Sequence, residues 1–294
     1  STGYYALAMY TSPTDFNDGA SANLATRPLT LSAAFTASGQ TTPVVEVLPL
    51  LIARPPVVYV HDLWSSCLYW KGSARIARSA LLTVTCADYV HTNAESINSD
   101  TNKEVVARAV DEALTEHRGD GIAATQVDVV AHGMGGLMAR KFVDRPDYKD
   151  WENYNKGYFK RLITVNTPHL GMRMAEEIYK VREATQLTQG SNTTGPWTSL
   201  YNSLKGVGIN VDDGGAIDDL RPGSDAIKGI GVTNVPSHLL VSTAGNNINH
   251  EPAMAILLPA TRTLYTQMQF KHPMFPAGTP ADVRKLLVLT AWNE

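Results

Sequence analysis

The sequence predicts an α/β domain: a mostly parallel sheet with helices on both faces, a β-rich lead-in and an inserted cap. Three observations carry that prediction. Short apolar runs that are continuous rather than alternating recur between helical stretches, as expected of strands covered on both faces. A turn of small residues, Gly133-Met134-Gly135-Gly136, joins one such run directly to a helix. The chain has 294 residues, 44% hydrophobic and 18% charged, long enough to bury roughly three quarters of its unfolded surface without a metal or disulfide staple.

The elements follow in order. Residues 1 to 53 are nearly free of charge and rich in Thr, Ser and Ala, and within them Tyr4–Thr11, Leu29–Thr36 and Val44–Ile52 read as strands separated by turn-prone residues. This lead-in is either the end of a preceding module or a set of strands pairing with the edge of the main sheet. The main domain is expected over 54 to 294, with strands at Val57–Val60, Leu81–Thr85, Gln126–Ala131, Arg161–Asn166, His238–Thr243 and Lys285–Thr290. Between the second and third, Thr101 and Glu104 form a capping-box pattern. Val105, Val106, Ala109, Val110, Ala113 and Leu114 then recur at helical spacing, and Gly119 offers a stop. Further helices are expected over about 134 to 144, before Pro146, and about 172 to 187. Residues 188 to 236 lose periodicity and are rich in Gly, Asn, Asp and Ser, the composition of a cap or lid.

Charge excludes several partners. With 25 basic and 28 acidic residues and a net charge of -3, the chain has no electrostatic footprint for nucleic acid or an anionic membrane. The longest apolar stretch, 43 to 60, is broken by Glu46, Arg54 and four prolines, so no membrane span is expected. Ser1 in place of Met, without a basic-then-apolar leader, reads as a processed product or a piece of something longer. Cys67 and Cys86 could pair in an oxidising compartment or stay as separate thiols. Asp212, Asp213, Asp218 and Asp219 supply oxygen ligands but fit no calcium-loop spacing, and a solvated loop is the expectation. No His-x-x-x-His or Cys-x-x-Cys pair suggests zinc, so neither metal nor cofactor is expected. Oligomeric state is not legible.

The stretch Val127-Asp128-Val129-Val130-Ala131-His132-Gly133-Met134-Gly135-Gly136-Leu137 is the pattern of a nucleophile elbow, in which a strand runs through a strained turn into a helix and thrusts one side chain above the sheet. It resembles the elbow of the α/β-hydrolase superfamily, in particular bacterial lipase and esterase domains, whose strand ends Ala-His-Ser-Met-Gly-Gly. Three further segments resemble the family in the family's order. These are Pro56-Val57-Val58-Tyr59-Val60-His61-Asp62-Leu63-Trp64, its first core strand and oxyanion turn; Leu162-Ile163-Thr164-Val165-Asn166-Thr167-Pro168-His169-Leu170-Gly171, its strand after the elbow helix; and Asp219-Leu220-Arg221-Pro222-Gly223-Ser224, part of its inserted region.

The resemblance implies an α/β-hydrolase fold and hydrolysis of a carboxylic ester, with an apolar ester or acyl lipid as substrate, in a secreted or extracellular bacterial protein. It also implies the site. The nucleophile position is occupied by Gly133, and the backbone amides of Leu63 and Met134 correspond to the oxyanion donors. Leu63, Trp64 and Met134 would line the acyl site, although ordinary packing accounts for Leu63 and Trp64 equally well. Asp62 stands where the family has Gly, in a turn where Asp can tolerate positive φ but where its carboxylate opposes an oxyanion. The remaining triad members are not in register: after the 238 to 243 strand the carboxylate available is Glu251, and no histidine follows the last strand, so either the sequence stops short of the catalytic histidine or His250 or His272 serves as the base through an altered connection. His61, His132 and His169 are expected to serve structural hydrogen bonds. Two histories fit Gly133: an esterase altered at its nucleophile, or a natural pseudoenzyme kept as a binding or structural module of a larger secreted protein. In either, Gly133→Ser is expected to be sterically tolerated, because the elbow helix and its flanking Gly135 and Gly136 are intact.

Overall fold

The computed structural model describes residues 25–188 and 214–241, with Tyr10, Ser12 and Pro13. Five strands form one parallel sheet: β3 (Val57–Val60), β4 (Val84–Ala87), β5 (Val127–His132), β6 (Phe159–Val165) and β7 (Ser237–Leu240), in the order β4-β3-β5-β6-β7. Every neighbouring pair is parallel. The connections therefore cross over through helices, and apolar surface is needed on both faces of the sheet. Val57 to Val60 are accordingly buried without interruption. One face packs Val57, Tyr59 and Val84 against Trp70 and Ala74 of the segment containing α1 (Lys71–Ser79). The other packs Val58, Val60, Val127 and Val129 against α2 (Asn102–Gly119) and α3 (Met134–Val143).

The predicted apolar stripe of α2 is buried as a whole: Val105, Val106, Ala109, Val110, Ala113 and Leu114 are all in the core. Its ends differ from expectation. Thr101 makes no side-chain cap. The preceding loop is organised instead by the buried Asn102, whose Nδ2 donates to the carbonyls of Thr92 at 2.9 Å and Ser96 at 3.0 Å. Glu104 turns outward to Arg145 at 2.7 Å rather than back to the helix. At the other end Gly119 is helical and the left-handed residue is Gly121, φ +79. The second core strand begins at Val84 rather than Leu81, because Leu81 occupies a left-handed turn, φ +61, closing α1.

The lead-in is a hairpin of β1 (Thr26–Phe35) and β2 (Val44–Ala53), antiparallel and a sheet of its own. Its two described strands therefore do not extend the main sheet. Apart from Tyr10, the expected strands at 4 to 11 and 285 to 290 lie outside the described residues. α4 (Arg173–Thr188) follows β6, and two short helices, α5 (Gly214–Leu220) and α6 (Asp225–Lys228), lie in the second half of the expected cap. That half is anchored: Ala216, Ile217 and Leu220 are buried in the main core. The expectation of a solvated acidic loop fails at Asp218 and Asp219, because Asp218 pairs with Arg182 and Asp219 accepts from Ser96 Oγ at 2.6 Å and the Ile97 amide at 2.7 Å. Asp212 and Asp213 are outside the described residues.

Cys67 and Cys86 are joined in a disulfide, with their Cα atoms 6.0 Å apart. The bond ties the single-turn helix at Cys67–Trp70 to β4. Among the described residues no helix is long and apolar enough to cross a membrane.

Candidate active site

The chain order reverses around β3, which pairs with β4 on one side and β5 on the other. In open parallel sheets the crevice at such a reversal, beyond the carboxyl ends of the strands, is where ligands bind. Both motif segments meet there. β3 runs into His61-Asp62-Leu63-Trp64, and β5 runs through Gly133 into α3.

Gly133 has φ +52 and ψ -125, a backbone conformation that costs an L side chain of the order of 1–3 kcal/mol when the surroundings impose it. The surroundings do impose it: the Gly133 amide donates to the Val165 carbonyl at 3.0 Å, and the helix begins at the next residue. Close approach of α3 to β3 then requires Gly135, where a Cβ would lie 2.4 Å from the His61 carbonyl oxygen. The strand-to-helix turn thus carries positive φ at Gly133, a position without a side chain.

The space above Gly133 is filled by Asp62. Asp62 Oδ1 accepts from the Met134 amide at 2.6 Å and from the Leu63 amide at 2.7 Å. These are the two amides that the resemblance assigned to an oxyanion, and they hold a carboxylate of the chain itself. A Cβ built at Gly133 would fall 2.0 Å from Asp62 Cγ and 2.0 Å from Oδ2. The expectation that Gly133→Ser is sterically tolerated is therefore overturned while Asp62 stays in place. Asp62 is also not among the non-glycine residues with positive φ; in this turn that conformation falls on Trp64, φ +53. Burial raises the Asp62 carboxyl above its ordinary value, against the downward pull of the Met134 amide, the His132 ring and the Leu63 amide.

The histidines near the site serve the frame. His61 is fully buried. Its Nδ1 donates to the Asp62 carbonyl at 2.9 Å and its Nε2 accepts from the Tyr89 amide at 3.2 Å, an arrangement that fits the neutral ring. Burial lowers its pKa accordingly, against the hydrogen bond to Asp62 and the charge of Asp88. Tyr89 stacks on the ring at 3.9 Å and its hydroxyl donates to the His61 carbonyl. With Asn93 Nδ2 donating to Ser65 O at 3.0 Å, the 61 to 65 turn is clamped from outside. No sequence pattern around Tyr89 or Asn93 announced this role, because both reach the turn across 28 residues.

His169 accepts from Arg140 at 3.0 Å and contacts Thr164 Oγ1 at 3.1 Å; burial, then the Arg140 charge, lowers its pKa. His132 differs. Its ring stacks on Tyr69 at 4.6 Å, while its Nδ1 is buried without a hydrogen bond and lies 3.6 Å from Asp62 Oδ2.

Of the expected acyl-site residues, Trp64 is half-buried against the core and Leu63 is buried. Met134 is fully buried, so its amide reaches the site and its side chain does not line it. Glu251, His250 and His272 lie outside the described residues. One group of potential metal ligands occurs among the described residues: His61, Cys67 and Asp88, with ligand atoms within 4.8 Å of one another. Cys67 is bonded to Cys86 and His61 Nε2 is engaged by the Tyr89 amide, so neither offers a free ligand atom.

Residues 56–194 match a family model described as "Putative serine esterase (DUF676)". No curated protein matches. Among solved structures, phospholipase PlaB from Legionella pneumophila is 17% identical over 64% of this chain and 39% of its own, TM-score 0.40. The chain thus spans about two fifths of that phospholipase. An esterase from Pyrobaculum calidifontis is 13% identical over 89% of this chain and 83% of its own, TM-score 0.39. An extracellular α/β-hydrolase from a Paenibacillus species is 12% identical over 82% and 99%, TM-score 0.34.

Proposed function

We propose, from the parallel α/β sheet and the match of residues 56–194 to a family model described as "Putative serine esterase (DUF676)", that this domain is esterase-like in architecture and lacks serine-hydrolase activity. One observation carries the reading: the elbow at Gly133 has no nucleophile, and the amides that would stabilise an oxyanion are bound to Asp62 Oδ1 at 2.6 and 2.7 Å. A tetrahedral intermediate needs those donors free and aimed at its developing charge. With both the attacking group and the donors withdrawn, the chemical step loses its two main supports. The ancestral substrate in this reading is a carboxylic ester with an apolar acyl group, such as an acyl lipid.

The same observation favours a natural pseudoenzyme over an esterase altered at a single position. A carboxylate residue at 62, which takes both amides, is a second departure that exchange of serine for glycine at 133 does not introduce. A binding or structural role in a larger protein follows, and the Cys67–Cys86 disulfide supports a secreted or extracellular setting.

The test is turnover of short-chain chromogenic esters together with labelling by a fluorophosphonate. Neither is expected above a catalytically blank protein of similar surface. Turnover that survives repurification and is abolished by the phosphonate overturns the proposal.

A further inference from the structure

Two amides from separate parts of the chain converge on one oxygen atom, and their frame does not depend on Asp62. Met134 is fully buried at the start of α3, and Leu63 is buried at the end of the β3 turn. The turn is clamped by the Tyr89 hydroxyl on His61 O and by Asn93 on Ser65 O, and α3 is set against β3 through Gly135. On the far side of the carboxylate, His132 Nδ1 is buried, has no hydrogen bond and lies 3.6 Å from Oδ2. At Gly133 there is no side chain to fill the space. The Asp62 side chain retains 30% exposure, so its removal leaves an opening to solvent.

We propose that the Leu63 and Met134 amides, flanked by His132, form a carboxylate-binding site whose standing occupant is Asp62, and that removing this side chain turns the pocket into a receptor for small free carboxylates. The inference rests on the reading that the elbow has no nucleophile, because a side chain at 133 would occupy the same volume. A carboxylate on these two amides has the geometry of the acid that ester hydrolysis releases, so Asp62 acts as a built-in product mimic. It excludes external acids because it is tethered: an intramolecular ligand competes at an effective concentration no dilute solute reaches.

Atom accounting selects the probes. Asp62→Gly removes the atoms of acetate and Asp62→Ala those of formate. In the full chain, the amide resonances of Leu63 and Met134 are followed by 1H–15N NMR during titration with sodium acetate or sodium formate, against sodium chloride at equal ionic strength. Asp62→Gly is expected to show saturable shifts of both amides with acetate, and Asp62→Ala with formate. Wild type is expected to require at least about tenfold more of either anion. Equal response of wild type and variants, or no saturable shift in either variant, overturns the proposal. Should both truncations stay unfolded at every acetate and formate concentration, it also fails, since a site in the folded state must stabilise that state when filled. Ester turnover by wild type would sink the reading of the preceding section while leaving the acetate result to stand or fall by itself.

Discussion

Because a Cβ at Gly133 would lie 2.0 Å from Asp62 Cγ, the two positions should be energetically inseparable, and a double-mutant cycle can measure this. Gly133→Ala must expel the Asp62 carboxylate from the Leu63 and Met134 amides. Losing these two hydrogen bonds to a carboxylate costs about 1–3 kcal/mol each, and imposing φ +52 on alanine costs roughly a further 1–3 kcal/mol. The single substitution is thus expected to destabilise by about 3–9 kcal/mol. Asp62→Gly alone loses the same two hydrogen bonds, about 2–6 kcal/mol. In the double variant that loss is incurred once, so the combined effect should fall short of the sum by about 2–6 kcal/mol, far beyond the few tenths seen for independent sites. Urea unfolding of the four proteins, monitored by far-UV circular dichroism, gives each term. Additivity within 0.5 kcal/mol or so would show that the carboxylate is not where this account puts it, and would remove the basis for both the carboxylate site and the pseudoenzyme reading.

Two other outcomes follow from the frame of the site. Replacing Cys67 and Cys86 by serine, which opens a link between residues 19 apart, should lower stability by about 3 kcal/mol; an unchanged unfolding midpoint would mean the turn at 67 to 70 is held without the bond. His61 has a folded pKa below the unfolded value of 6.5 because burial disfavours its charge. Its contribution to stability is therefore complete above pH 6.5 and is lost as pH falls through the folded value. Long-range 1H–15N spectra should show a neutral ring protonated at Nδ1 at pH 6.5, and an imidazolium there would contradict the hydrogen-bond assignment.

The parallel sheet, its helices and the tight strand-to-helix turn at Gly133 were legible in the sequence because each depends on local pattern. Continuous apolar runs such as Val57–Val60 mark strands buried on two faces, the α2 stripe keeps helical period over three turns, and a strand-to-helix turn this tight admits small residues only. Details set by competition were not legible. Thr101 and Glu104 have the spacing of a capping box, yet Thr101 makes no side-chain cap and Glu104 pairs with Arg145, 41 residues further on. Asp218 and Asp219 look like solvated acids until Arg182, Ser96 and Ile97 arrive from over 30 residues away. Above all, sequence placed Asp62 beside an oxyanion pocket as an electrostatic obstacle, but only the tertiary structure put its carboxylate on the amides. Leu63 and Met134 lie 71 residues apart, and what fills the gap between them depends on how closely β3 and α3 approach. That distance is set by packing of the core around Gly135, and no local pattern encodes it.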